Sequence, residues 1–112
     1  MQRNIASAKD FSLAELKQLL AEGEAVIVDV READEFSRGR IPGAILHPLS
    51  RLEPAALPRV GEGQQVIVMC RSGQRSRTAL QIAHASGRDD IRGHYPGGIL
   101  EWTGAGEPVE RD

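Results

Sequence analysis

Two apolar segments limit the possible folds of this chain more than any other feature. Residues 25–30 and 65–70 are apolar at successive positions and lack the polar alternation of a half-exposed strand. Such strands are covered on both faces, as in a parallel sheet flanked by helices. The first segment ends around Asp29 and the second at Cys70. Because sites in such sheets gather at the carboxyl ends of the strands, Asp29 and Cys70 are candidate functional residues.

Helical segments lie between the strands. The sequence Ser12-Leu13-Ala14-Glu15 is a capping box, and leucines at helical spacing follow it until Gly23. This pattern predicts a helix that begins after Ser12 and ends before Gly23. Further helical segments are predicted at 33–38, at 49–57 as one or two turns interrupted by Pro54, and at 74–85.

Weaker strand patterns complete the alternation of strands and helices. They lie at residues 44–47, at residues 91–95 and near Ile5. The alternation predicts an α/β three-layer domain with a mostly parallel sheet. With 112 residues, the chain is predicted to form a single domain, residues 1–112.

Composition excludes several classes of protein. Apolar residues make up 40% of the chain, charged residues 27%, and the net charge is −2 without clustered Lys or Arg, so we expect no nucleic-acid partner. No apolar run approaches the ~20 residues of a membrane span. The N-terminus lacks the apolar stretch of a secretory signal, and a lone cysteine cannot form an internal disulfide. Both features lead us to expect a cytoplasmic protein. The chain has one thiol, and its histidines at 47, 84 and 94 lack metal-ligand spacing. We therefore expect no metal site.

The segment 70–76 carries the strongest chemical signal. A thiol ends a buried strand, a loop with Ser72 and Gly73 follows, and a helix begins at once. Such a loop can turn its backbone N–H groups inward, and the helix N-terminus adds partial positive charge. With Arg71 and Arg75 nearby, these groups favour the thiolate of Cys70. A cysteine after an apolar strand is otherwise a small buried hydrophobe, but simple packing does not require two arginines and a Gly-Ser loop beside it.

Four segments, in order and over nearly the whole chain, resemble motifs of the rhodanese homology domain. They are residues 28–36 (VDVREADEF), 39–44 (GRIPGA), 70–76 (CRSGQRS) and 95–102 (YPGGILEW). Arg40 stands where the family usually has histidine.

The resemblance implies a five-stranded sheet with helices on both faces and a sulfurtransferase activity. Cys70 would accept sulfane sulfur from thiosulfate or a persulfide and pass it to cyanide, a small thiol or a protein thiol. This is covalent catalysis by double displacement, and the family uses no metal or organic cofactor.

The other site residues are expected to support this chemistry. The substrate-binding set is Arg71, Ser72, Gly73, Gln74, Arg75 and Ser76, whose backbone amides would hold the sulfur. Arg71 or Arg75 would orient an anionic donor. Asp29 either braces the loop, pairs with an arginine there, or only satisfies nearby backbone donors, and Arg31 is interpreted as structural. No histidine is assigned as a base for Cys70.

Two other functions are compatible with parts of the sequence. A cysteine phosphatase or arsenate reductase uses C-x5-R, in which the arginine clamps an oxyanion. That arginine would be at position 76, where this chain has Ser76. A rhodanese-like binding or regulatory module is the second alternative, although such modules often lack the cysteine.

Overall fold

The two apolar segments form adjacent central strands of a five-stranded sheet in the computed structural model, which describes residues 8–112. The strands are β1 (Lys9–Asp10), β2 (Ala25–Asp29), β3 (Ile45–Leu46), β4 (Gln65–Met69) and β5 (Gly93–Tyr95). The helices are α1 (Leu13–Ala21), α2 (Ala33–Arg38), α3 (Gln74–Ala85) and α4 (Gly98–Gly104). The strand order is β1-β5-β4-β2-β3, and the four strand pairings are parallel.

The predicted α/β fold is confirmed, with differences in detail. Helices at 33–38 and 74–85 form as predicted, and the capping box of Ser12 and Glu15 begins α1. The segment 49–57 forms two 3-10 turns, Leu49–Arg51 and Pro54–Ala56. The strand predicted near Ile5 falls outside the described residues, and the fifth strand of the observed sheet is β1.

The sequence did not identify α4 as a helix. It appeared only as the Gly-Gly-x-x-x-Trp motif, because glycines at 97 and 98 are poor helix formers.

The sheet separates two apolar cores. Alternate residues of a strand point to opposite faces, so Val28, Val68 and Cys70 share one core with Leu80 of α3. The other core lies on the opposite face. It contains Leu16 of α1, Ile27, Ile67, Met69, Tyr95, and Ile99 and Trp102 of α4. The thiol of Cys70 therefore lies on the face that α3 covers.

Within residues 8–112, no helix has the length and apolar character needed to cross a membrane. The same part of the chain contains no group of three or more His, Cys, Asp or Glu side chains arranged to hold a metal ion.

Candidate active site

A tight loop joins β4 to α3 and surrounds the thiol of Cys70. Cys70 directly follows β4, and α3 begins at Gln74. Gly73 precedes the helix with φ of 98°, a left-handed conformation that favours glycine. A Cβ at this position would lie 2.7 Å from the carbonyl oxygen of Pro96. Glycine is thus required both by the backbone conformation and by the close approach of the neighbouring chain.

The loop turns its amides toward the sulfur. The backbone N–H groups of Gly73 and Ser76 donate to Sγ of Cys70 at 3.1 and 3.3 Å, and Oγ of Ser76 lies 3.6 Å from Sγ. Burial alone raises the pKa of the Cys70 thiol, which is only 1% exposed. Hydrogen bonds from the Ser76 hydroxyl and from the amides of Ser76, Gly73 and Ser72 outweigh burial, so the thiol pKa is lowered overall. The loop therefore favours an anionic sulfur in a buried position.

The N-terminal part of α4 holds the outer side of the loop. The amides of Ile99 and Leu100 donate to the carbonyl oxygens of Cys70 and Arg71 at 2.9 and 3.2 Å. Gly98 has φ of 63°, and a Cβ there would lie 2.6 Å from the carbonyl oxygen of Cys70. The loop carbonyls are thus bound to α4 while loop amides face the sulfur.

The two arginines of the loop have different environments. Arg75 forms a two-pronged ion pair with Glu35 of α2, with nitrogen–oxygen distances of 2.7 and 2.9 Å. Arg71 is exposed and lines a cleft of about 220 Å³. The cleft residues are Arg31, Glu35, Arg38, Gly39, Arg71, Ile99, Thr103, Val109 and Arg111. Arg31, Arg38 and Glu35 are each in an ion pair with a residue outside the lining, so the positive charge of this cleft comes from Arg71 and Arg111.

Ser72 and Gln74 are exposed on the other side of the loop. Together with Gly73 they line a second cleft, of about 370 Å³, which is completed by Arg77, Thr78 and Pro96.

The ion pair of Glu35 and Arg75 gives a prediction for acid stability. Hydrogen bonding from Arg75 holds the pKa of the Glu35 carboxyl at about 2, against an ordinary value of 4.5. A carboxyl with a lowered folded-state pKa stabilises the fold above its unfolded pKa, and this contribution is lost as the pH falls toward 2. We expect the free energy of unfolding to decrease less steeply between pH 4.5 and 2 in Glu35→Gln than in the wild type. Urea unfolding measured across this range tests the difference. Glu62→Gln, at an exposed position, is the control and should retain the wild-type slope.

Asp29 pairs with Arg31 and not with an arginine of the loop. The carboxylate accepts hydrogen bonds from Nε and from a terminal nitrogen of Arg31 at 3.0 and 2.7 Å, and also from the Arg31 amide. The side chains of Asp29 and Arg31 are 0% and 5% exposed. Arg31 also donates to the carbonyl oxygen of Gly39 at 2.8 Å. The pair thus connects the end of β2 to the end of α2, beside the arginine-lined cleft.

Sequence reasoning missed His94 and Asp10, which the fold connects to the loop through Ser76. Nδ1 of His94, on β5, lies 2.7 Å from Oγ of Ser76, and Nε2 of His94 lies 3.2 Å from Oδ1 of Asp10 on β1. His94 is 2% exposed. The available signal was a histidine within a predicted strand, but its position beside β4 depends on the strand order.

Comparison with known proteins adds three findings. The family model of the rhodanese-like domain matches residues 12–105. A Synechocystis protein named uncharacterized protein slr1261 is 42% identical over 84% of this chain and 51% of its own length, so the chain spans about half of that relative. A human thiosulfate:glutathione sulfurtransferase is 37% identical over 88% of this chain and 96% of that protein.

Among solved structures, a Rhodopseudomonas palustris protein described as of unknown function and a possible tyrosine phosphatase matches with a TM-score of 0.78. It is 27% identical, and the match covers 98% of this chain and 96% of that one.

Proposed function

The chain belongs to the rhodanese-like domain family, and we propose that it is a sulfurtransferase in which Cys70 carries sulfane sulfur as a persulfide. The observation that supports this most is the environment of Sγ: two backbone amides donate hydrogen bonds to it, and the Ser76 hydroxyl lies 3.6 Å away. They favour the thiolate that must attack the donor, and they would favour a terminal sulfur anion in the same place. The name of the human relative supports the same activity.

We propose thiosulfate as the donor. The Cys70 thiolate attacks the outer sulfur of thiosulfate, a sulfur–sulfur bond to Cys70 forms, and sulfite leaves with the electron pair of the broken bond. The backbone amides of the loop residues 71–76 then hold the terminal sulfur of the persulfide.

We propose a small anionic thiol as the acceptor, and glutathione is one thiol of this kind. Its thiolate attacks the terminal sulfur, and the electron pair of the sulfur–sulfur bond returns to Cys70 as a thiolate. Arg71 and Arg111 of the cleft would bind the negative charges of such a thiol, because Arg31 and Arg38 are engaged by Asp29 and Asp34. A protein thiol or cyanide would be used through the same step.

The direct test is the intact mass of the protein after incubation with thiosulfate. We expect a gain of about 32 Da, one sulfur atom, which cyanide or a small thiol removes. Absence of an adduct with every sulfane donor tried would contradict the proposal and favour a binding or regulatory module.

A phosphatase is the second candidate, because the solved R. palustris structure is described in those terms. The geometry favours it less. Ser76 occupies the place of the oxyanion-binding arginine, and Glu35 already engages both terminal nitrogens of Arg75. Turnover of an aryl phosphate without a sulfur adduct would decide for the phosphatase.

Among the loop arginines, we assign contact with the anionic donor to Arg71, because Arg75 is held by Glu35. We expect Arg71→Ala to raise KM for thiosulfate about tenfold, the effect of losing one hydrogen bond to a charged group. Steady-state kinetics with thiosulfate as the varied substrate measure this. Arg92→Ala is the control, since it removes the same charge from an exposed residue at the amino end of β5. An equal change in both variants would show that general charge, and not contact, is responsible.

A further inference from the structure

We infer that His94 accepts the proton of the Cys70 thiol through the hydroxyl of Ser76, so that these side chains form a proton relay. His94 is a positioning residue in this scheme, because it acts on the sulfur only through Ser76. The inference rests on the proposed function, in which Cys70 must become a thiolate before it attacks a donor.

The three groups form a continuous chain inside the fold. Sγ of Cys70 is 3.6 Å from Oγ of Ser76, and that oxygen is 2.7 Å from Nδ1 of His94. The chain ends at Asp10, 3.2 Å from Nε2 of His94. Cys70, Ser76 and His94 are between 0% and 2% exposed, whereas the Asp10 side chain is 62% exposed. The relay would therefore connect a buried thiol to solvent without water entering the site.

The carboxylate of Asp10 determines how the relay is oriented. An ionised carboxylate only accepts hydrogen bonds, so Nε2 of a neutral His94 carries the hydrogen and Nδ1 keeps its lone pair. The Ser76 hydroxyl then donates to Nδ1 at 2.7 Å, in preference to the carbonyl oxygen of Gly73 at 3.2 Å, and the Cys70 thiol donates to Oγ of Ser76. Every hydrogen in the chain therefore points away from the sulfur and toward Asp10.

Proton transfer reverses the direction of the hydrogen bonds in this chain, and it forms the thiolate and the imidazolium together. The thiol proton moves to Oγ of Ser76 while the hydroxyl proton of Ser76 moves to Nδ1 of His94. The products are a thiolate, an intact hydroxyl that now donates to the thiolate, and an imidazolium that donates to Ser76 and Asp10. No oxidant or additional reactant is needed.

The groups around His94 have opposing effects on its pKa. Burial lowers the pKa of His94, Asp10 on β1 raises it, and Arg77 on α3 lowers it, with a lowered pKa as the result. The ring is therefore neutral and able to accept a proton near pH 7. At the end of β4, a Cys70 thiolate would add a negative charge that favours the imidazolium. Protonation of His94 is thus coupled to ionisation of Cys70.

The experiment is the pH dependence of Cys70 alkylation by iodoacetamide in the wild type and in His94→Asn. Asparagine can hydrogen-bond to Ser76 but cannot take up a proton. We expect the apparent pKa of Cys70 to rise by about one unit, which lowers the alkylation rate about tenfold at pH values below the wild-type pKa. His47→Asn, a histidine on the far side of β2 from β4, is the control and should leave the profile unchanged. A folded His94→Asn with the wild-type profile would overturn the relay.

A second measurement serves if His94→Asn does not fold. The imidazole of His94 is titrated by NMR in the wild type and in Cys70→Ala. We expect His94 to titrate at lower pH in Cys70→Ala, because the thiolate that favours the imidazolium is absent. Identical titrations would overturn the relay. Neither experiment uses a sulfur donor. A shifted alkylation profile in His94→Asn, together with a wild type that forms no persulfide, would contradict the proposed function and retain the relay.

Discussion

Cys70→Ser is expected to reduce thiosulfate-dependent sulfur transfer about 1,000-fold or more, to the background rate, since it removes the nucleophile. A serine hydroxyl has nearly the shape of the thiol and accepts the same amide hydrogen bonds, but it forms no persulfide. Sulfite release in the presence of a thiol acceptor measures the activity.

Retention of the fold makes this result interpretable. Because serine can accept the hydrogen bonds from Gly73 and Ser76, the thermal unfolding midpoint should stay within a few degrees of the wild-type value. A Cys70→Ser protein that is folded and still transfers sulfur at a substantial fraction of the wild-type rate would show that Cys70 does not carry the sulfur.

The second large effect concerns stability. Asp29→Asn should lower the free energy of unfolding by about 3 kcal/mol, because it leaves the Arg31 guanidinium buried without its counter-ion. The side chains of Asp29 and Arg31 are 0% and 5% exposed, so water cannot solvate the unpaired guanidinium. Against a total stability of roughly 5–15 kcal/mol, this is a large fraction. Urea unfolding followed by circular dichroism measures the loss.

An exposed ion pair supplies the matched control. Asp34 pairs with Arg38 at 3.3 Å, and both side chains are 68% exposed. Asp34→Asn should therefore change the free energy of unfolding by no more than about 0.5 kcal/mol. Equal losses in Asp29→Asn and Asp34→Asn would contradict a structural role for the buried pair.

Those parts of the fold that depend on short stretches of sequence were predicted. The capping box at Ser12 and the boundaries of α2 and α3 follow from local hydrogen bonding and helical spacing. The central strands followed from their continuous apolar character, and the loop at Cys70 from its glycine and serine residues.

Contacts between segments that are distant in the sequence could not be predicted from local sequence patterns. The pairing of Arg75 with Glu35 joins residues 40 positions apart, and it decides which loop arginine remains available. The approach of His94 to Ser76 depends on β5 lying next to β4, which no local pattern specifies. For Asp29, several partners were within reach, and only the three-dimensional structure identifies Arg31 as the one bound.

The attachment of the loop after β4 to α4 limits which acceptors could reach the sulfur of Cys70 in the proposed reaction. With the carbonyls of Cys70 and Arg71 bound by the amides of Ile99 and Leu100, the ring of donors around the sulfur has little freedom to widen. An incoming molecule must therefore adapt its own shape to the entrance. A thiol at the end of a slender, freely rotating chain, in a small molecule or on a mobile protein segment, would meet this requirement more readily than a thiol set into a rigid protein surface.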